Sequence, residues 1–210
     1  MKQRLIVWGL LFFLCTTPSL LYAVPNKIMA VPGTPVIFGD TGGILWNLTG
    51  MTANTGQYST RFDKNTIVTP SGAMPYKWTA RCRFQAAVGM TIGDAVEWYL
   101  STSDGTFADG TLGTTAASLV TDKRKNLRLM MTTIVDQTAA SVTMESSIDL
   151  DIYPRYFSLG AWNATTQSFL ASTTAHGCSM TPQNLEIQAH ALPDYDRHPE
   201  PAALPVPVAV

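Results

Sequence analysis

The sequence predicts an all-β domain, an antiparallel β-sandwich or jelly roll, and two observations carry this prediction. The first is the stretch from residue 76 to residue 100, in which apolar and polar residues alternate on both sides of a glycine-bearing loop. The second is that roughly eight to ten short strand-like segments recur between turn signals, and no amphipathic helix follows the N-terminal leader. Strands at this spacing favour two sheets packed face to face.

The two strongest strand signals are residues 76–84 and residues 96–100. In the first, aromatic and small apolar residues alternate with Lys77, Arg81 and Arg83, so one face is dry and the other cationic. The second alternates in the same way around Trp98. We expect the two strands to pair as a hairpin whose apolar face is covered by a second sheet.

Further strands are predicted wherever a short apolar alternation lies between turn residues. Fully burying the largest apolar side chains of these strands contributes on the order of 10 kcal/mol before the entropy of folding is subtracted. The predicted core residues are Trp46, Trp78, Trp98, Phe84, Leu129 and Ile148. The additional predicted strands are residues 35–38, 44–49, 57–62, 126–135, 140–152, 156–162, 169–170, 176–180 and 185–188.

The sequence divides into three predicted regions, residues 1–28, 29–189 and 190–210. The first has a basic start, an apolar run that is predicted as a hydrophobic leader helix, and a small-residue cleavage point before Val24, which together are typical of a signal peptide. A competing interpretation is that the domain begins at Met29 and that the upstream residues are a leader or a misassigned start. The proline-rich last region predicts an extended arm.

Composition limits the classes of partner. The 210 residues are 46% hydrophobic and 14% charged, with a formal net charge of −1, which is not the basic excess that nucleic-acid binding usually requires. The basic residues at 123–125 are interpreted as solvated loop charges. No second apolar run is long enough to span a membrane, so we expect no membrane association once the leader is removed.

Two cysteines, Cys82 and Cys178, lie outside the leader, each on the apolar side of a predicted strand. They either form a disulfide or pack separately as small hydrophobic residues. No Cys/His spacing predicts a metal site. Asp104 and Asp109, in the glycine-rich segment 101–122, are interpreted as turn residues rather than calcium ligands, because their spacing does not fit a calcium loop.

No catalytic constellation is predicted, so we expect a protein that is not an enzyme and needs no cofactor. His176 lies near Ser172 in the sequence, but no nucleophile elbow accompanies them. Asp149 and Asp151 point to one face of a strand, where paired carboxylates can perform acid–base chemistry. A turn histidine and solvated aspartates are the favoured interpretations.

Two further features concern carbohydrate. Asn47 and Asn163 each begin a glycosylation tripeptide, which we interpret as turns and strand ends. Tyr99 and Trp162 are predicted to be exposed aromatic residues, which can stack on sugar rings. Ordinary packing of these two side chains between subunits is the favoured alternative.

From residue 42 to residue 188 the sequence resembles a family of small tailed-bacteriophage virion proteins, and the residues around Met29 resemble that family's N-terminus. The resemblance implies a non-enzymatic jelly-roll component of the capsid surface, with other virion proteins and further copies of itself as partners. A tail or fibre component, or an exported bacterial β-sandwich that binds a surface glycan or protein, is the alternative. The similar blocks are residues 43–58, 78–84, 96–103, 153–159, 172–176 and 181–182.

Overall fold

The computed structural model describes residues 27–39, 44–67, 69, 72–105, 117–171 and 175–188, with the backbone alone for residues 27–28, 122–123 and 186–188. The chain divides into two units, Met29–Glu186 and a unit formed by Met1–Ile28 with Ile187–Val210. The predicted leader helix, its cleavage point at Val24 and the proline-rich tail lie outside the described residues. The hydrophobic core lies within Met29–Glu186.

The described residues confirm the all-β prediction, because they form two antiparallel sheets with almost no helix. Helix is limited there to one turn, α1 (Thr121–Arg124), and a 3₁₀ turn (Lys64–Thr66). The strands are β1 (Lys27–Pro32), β2 (Val36–Gly39), β3 (Thr55–Tyr58), β4 (Phe62–Asp63), β5 (Lys77–Gln85), β6 (Ala95–Ser103), β7 (Ala117–Leu119), β8 (Arg128–Ile134), β9 (Thr143–Asp151), β10 (Tyr156–Asn163) and β11 (Gly177–Gln188).

Each sheet contains strands that are distant in the sequence. Sheet A has the order β1-β11-β5-β9, and β2 also pairs with β11. Sheet B has the order β7-β3-β10-β6-β8, and β4 also pairs with β10. The chain therefore passes back and forth between the sheets, so nearly every strand pairs with partners that are not its neighbours in sequence.

The core lies between the two sheets. Trp78 of sheet A meets Phe157 of sheet B with ring centroids 5.3 Å apart, and Trp46 packs edge-on against Trp98 at 5.9 Å. The predicted core residues Trp46, Trp78, Phe84 and Trp98 are buried, and Ile148 is partly buried against them.

The predicted hairpin is wrong, although both of its strands exist. β5 pairs with β9 and β11 in sheet A, whereas β6 pairs with β8 and β10 in sheet B. Residues 86–94 therefore cross from one sheet to the other instead of turning within one sheet. The period of two identifies which face of a strand is buried, but it does not identify the partner strand.

Leu129 is not a core residue, because its side chain is 50% exposed. The ladder between β6 and β8 shifts register, so that Trp98 faces Met131 while Tyr99 faces Leu129. Met130 is the extra residue, and its side chain is buried in the core. Such a bulge reverses the faces of the residues that follow it, which a strict alternation cannot anticipate.

Four other predicted strands differ from the structure. Residues 44–49 contain only an isolated bridge at Ile44, although Trp46 still reaches the core and its Nε1 donates to the Gln57 carbonyl at 3.0 Å. The segment 57–62 divides into β3 and β4 around buried Ser59, whose hydroxyl accepts the Leu159 N–H at 2.9 Å. The segments 176–180 and 185–188 belong to one continuous strand, β11.

Candidate binding and docking surfaces

The outer face of sheet A carries the predicted aspartate pair. Asp149 and Asp151 both lie on this face of β9, as the alternation predicts. The Thr79 hydroxyl donates to Asp149 Oδ1 at 2.6 Å, and Lys77 Nζ lies 3.6 Å from Asp151 Oδ1. Both carboxylates are therefore engaged by neighbouring side chains of β5 on an open, solvated surface.

The two predicted outward arginines belong to the same face. Arg81 Nε lies 2.5 Å from Glu145 Oε1, with the Arg81 side chain largely exposed, and Arg83 is also exposed. Exposed pairs of this kind contribute little to stability, because solvent screens both charges. The face is a ladder of cross-strand polar pairs.

His176 is buried and packed, with only 1% of its surface exposed. Its Nε2 donates to the Leu170 carbonyl at 2.7 Å, and its Nδ1 accepts the backbone N–H of Gln85 at 3.3 Å. The imidazole also packs against the Phe169 ring at 5.1 Å. Both nitrogens thus hold backbone in place just before β11; the neighbouring Ser172 lies outside the described residues.

Cys82 and Cys178 form a disulfide between neighbouring strands of sheet A. They lie directly opposite each other in the β5–β11 register, and both are buried. This resolves the two possibilities that the sequence left open. The bond joins residues 96 positions apart in the chain.

The predicted exposure of Tyr99 and Trp162 is wrong. Each is only 7% exposed, and with Tyr58 and Leu119 they form a second apolar cluster on the outer face of sheet B. The Arg124 guanidinium lies 4.4 Å from the Trp162 ring centroid. The segment that follows β7 covers these rings, since its Leu127 packs against the cluster and its Arg124 lies over Trp162. We call this segment, residues 120–127, the cover of sheet B.

A charged group lies within this cover. The Tyr99 hydroxyl donates to Glu97 Oε2 at 2.5 Å, and Arg124 Nη1 donates to the same oxygen at 2.9 Å. Burial, followed by the hydrogen bond to Glu97, raises the pKa of Tyr99 well above its usual value. The Arg124 of the predicted basic loop therefore supports the cover instead of being freely solvated.

One end of the double sheet is held by a buried lysine that sequence reasoning missed. Lys64 Nζ donates to the carbonyls of Ile152, Tyr153 and Pro75, the last two at 3.0 and 3.4 Å. Burial lowers the pKa of Lys64, and the charge of nearby Asp104 opposes that shift. The ammonium group ties three loops together where β4, β5 and β9 begin or end.

An ion pair supports the same end. Arg155 Nε and Nη2 donate to the two carboxylate oxygens of Asp63 at 2.9 and 2.6 Å, which is the bidentate geometry. These hydrogen bonds lower the pKa of Asp63 and raise that of Arg155. Asp104 Oδ1 accepts the backbone N–H of Arg155 at 3.0 Å, so this carboxylate has a structural role; Asp109 lies outside the described residues.

Exposed apolar side chains occur at both ends of the double sheet. At one end, Tyr153 is 70% exposed and stacks on Tyr76 at 5.8 Å, near exposed Met74. At the other end, Ile92 is 65% exposed and Ile134 is also exposed. The Gly93 N–H donates to the Val135 carbonyl and the Val135 N–H donates to the Asp94 carbonyl, so the two loops are held together. The nine-residue β5–β9 ladder separates these ends by roughly 27 Å.

A groove lies beside the covered face of sheet B, between residues 47–57 and residues 118–121, with a volume of about 460 Å³. Its floor is apolar, formed by Met51, Leu119 and Trp162. Its rim consists of amide and hydroxyl side chains, among them Asn47 of the first glycosylation tripeptide. Asn163 of the second tripeptide is buried behind the groove.

Within the described part of the chain, no group of three or more His, Cys, Asp or Glu side chains is placed to hold a metal ion. None of the helices described there has the length and apolar character needed to cross a membrane. No protein-family model matches the chain, and no curated protein matches it.

Proposed function

We propose that this chain is a non-enzymatic structural protein of a tailed-bacteriophage virion, placed on the capsid surface. The observation that carries the proposal is the pair of unlike apolar ends, one around Tyr153 and one around Ile92. Two different patches on opposite ends suit heterologous contacts, in which one copy or neighbour meets the other end of the next. Contiguous exposed apolar patches, such as Tyr153 stacked on Tyr76, are a common feature of protein interaction sites.

The strand order supports the jelly-roll part of this proposal. Setting β4 and β7 aside and counting β1 and β2 as one strand leaves eight strands. Numbered one to eight along the chain, they have the orders 1-8-3-6 in sheet A and 2-7-4-5 in sheet B. These orders support the proposed jelly roll, an architecture of two packed sheets that capsid proteins use among others. Fold alone does not determine function, so the likeness is one of analogy.

The placement of the polar groups is compatible with a structural protein. His176 uses both nitrogens on backbone atoms, and Asp149 and Asp151 are engaged by Thr79 and Lys77. These groups stabilise the sheets and their connections. Function in this proposal depends on surface contacts.

The test is mass spectrometry of phage particles purified from the host that carries the gene. We expect the polypeptide in stoichiometric amounts, beginning near Met29. Ile92→Asp and Tyr153→Ser, both at exposed positions, should leave a folded protein that is no longer incorporated, whereas Ser147→Asp on the sheet A face should be incorporated normally. Absence from purified particles, or normal incorporation of both end variants, contradicts the proposal.

The second candidate is an exported β-sandwich that binds a surface glycan or protein, and the disulfide favours it. Disulfides persist mainly in oxidising compartments, and the signal-like residues 1–23 would direct the chain to one. N-terminal sequencing separates the two candidates. A periplasmic or secreted product that begins at Val24 supports export, and a particle-bound product that begins near Met29 supports the virion.

A further inference from the structure

We propose that the groove between residues 47–57 and 118–121 binds a neutral saccharide of one or two rings. This proposal does not depend on the virion assignment, because it concerns a different surface from the two apolar ends. The volume of about 460 Å³ lies within the range of small-ligand sites. The chemistry of the rim and of the floor identifies the ligand class.

The rim is polar and uncharged. Asn47, Asn54, Gln57, Ser118 and Thr121 line it, and among the described residues that form the groove none carries a charge. Amides and hydroxyls both donate and accept hydrogen bonds, which is what the hydroxyl groups of a sugar require. A phosphate, sulfate or carboxylate ligand would lose its hydration there without gaining a cationic partner from these described lining residues.

The floor provides the apolar surface that a sugar ring needs. Gly56 faces Trp162 directly in the β3–β10 register. A Cβ atom on Gly56 would lie 2.9 Å from Trp162 Cε3 and 3.0 Å from Leu119 Cβ. Because Gly56 has no side chain, Trp162 and Leu119 pack directly against the β3 backbone and close the bottom of the groove. A sugar ring would contact this floor through its C–H groups, at the small part of the indole edge that remains exposed.

The groove wall is fixed before any ligand arrives. Asn54 adopts a left-handed backbone conformation with φ of 56°, and its N–H donates to the Asn163 carbonyl at 2.7 Å. Buried Asn163 also donates from Nδ2 to the Met51 carbonyl at 3.1 Å, and the Thr55 hydroxyl donates to the Thr52 carbonyl at 2.7 Å. A wall held in this way loses little entropy on binding.

The test begins with the full chain on a printed array of neutral hexose and N-acetylhexosamine oligosaccharides, with sialylated and sulfated counterparts on the same surface. Neutral probes that bind are then titrated by saturation-transfer NMR. We expect binding to neutral probes. Asn54→Gly keeps the backbone conformation and removes one amide, and it should weaken binding about two- to tenfold.

Ser118→Trp fills the groove from an exposed position and should abolish binding, whereas Ser147→Trp, its matched control on the outer face of sheet A, should leave binding unchanged. Circular dichroism and thermal unfolding confirm that each variant is folded; if Ser118→Trp does not fold, Asn54→Gly decides the question. Three results overturn the proposal. They are no binding to any neutral probe, binding only to acidic probes, and unchanged affinity in the folded groove variants.

Discussion

The outer faces of the two sheets differ, and the difference shows which features of a strand its alternating sequence pattern predicts and which it does not. On sheet A the outward side chains of β5 and β9 are polar, and they pair across the two strands, as Arg81 does with Glu145. On sheet B the outward side chains of the central strands include aromatic residues that are buried, as Tyr99 and Trp162 are. Sheet A is therefore buried on one face, whereas the central strands of sheet B are buried on both.

The difference explains which sequence predictions succeeded. β5 and β9 alternate because one face meets the core and the other meets water, so their outward residues were predicted correctly. Nearly every residue of β10 is buried, so its sequence carries no alternation that distinguishes core from cover. The assignment of Trp162 to an exposed face failed for this reason. Tyr99 of β6 does point away from the core, but it lies in the same covered cluster as Trp162.

The largest expected effect comes from the core beneath both faces. Trp78→Ala removes an indole that contacts both Phe157 and Phe62, and it should lower the free energy of unfolding by about 3–5 kcal/mol. Urea unfolding followed by circular dichroism measures the change. A variant of near-native stability would show that Trp78 does not anchor the two sheets to each other.

The next prediction compares the two outer faces directly. Trp162→Ala should cost about 3 kcal/mol, because the ring is buried under the cover of sheet B. Arg81→Ala on sheet A should cost under about 1 kcal/mol, since its ion pair with Glu145 is exposed. The same urea unfolding experiment measures both variants. Equal losses in the free energy of unfolding would contradict the proposed difference in burial between the two outer faces.

A smaller effect tests how closely the cover packs on β3 and β10. In Gly56→Ala the new methyl group would lie 2.6 Å from the Ala161 carbonyl oxygen as well as against Trp162, so we expect a loss of about 1–3 kcal/mol. Gly105→Ala is the control, because none of the residues that the structure describes lies within 4 Å of the position that its methyl group would take. Thermal unfolding of both variants decides whether space at Gly56 is as restricted as the packing implies.

The smallest effect is pH-dependent. Tyr99→Phe should cost about 1 kcal/mol at neutral pH through loss of the bond to Glu97. Because the folded-state pKa of Tyr99 is raised, its contribution is complete below pH 10, the usual value, and is lost as pH rises toward the folded-state pKa. The stability difference between wild type and Tyr99→Phe should therefore shrink above pH 10. A stability difference that stays constant above pH 10 would show that the Tyr99 hydroxyl is exposed to water instead of buried.

Several features lie beyond sequence reasoning for physical reasons. The partners of β5 and β6 depend on how the chain crosses between sheets, which no local period records. The bulge at Met130 changes which side chains of β8 face the core, and no residue type characteristic of a bulge marks its position in the sequence. In the sequence Lys64 is an ordinary loop lysine. Its ammonium group is buried only because three loops that are distant in sequence come together around it and supply carbonyl acceptors. The groove rim combines residues 47–57 with 118–121, which are far apart in sequence.

Amide hydrogen exchange, followed by mass spectrometry on the folded chain, tests most directly whether β10 lies between two apolar layers while β9 borders solvent. The peptides that cover Tyr156–Asn163 should be the slowest to exchange, because β10 is hydrogen-bonded on both sides and covered on both faces. Peptides from Thr143–Asp151, an edge strand with a polar outer face, should exchange much faster. Equal exchange rates in the two strands would contradict the covered face of sheet B.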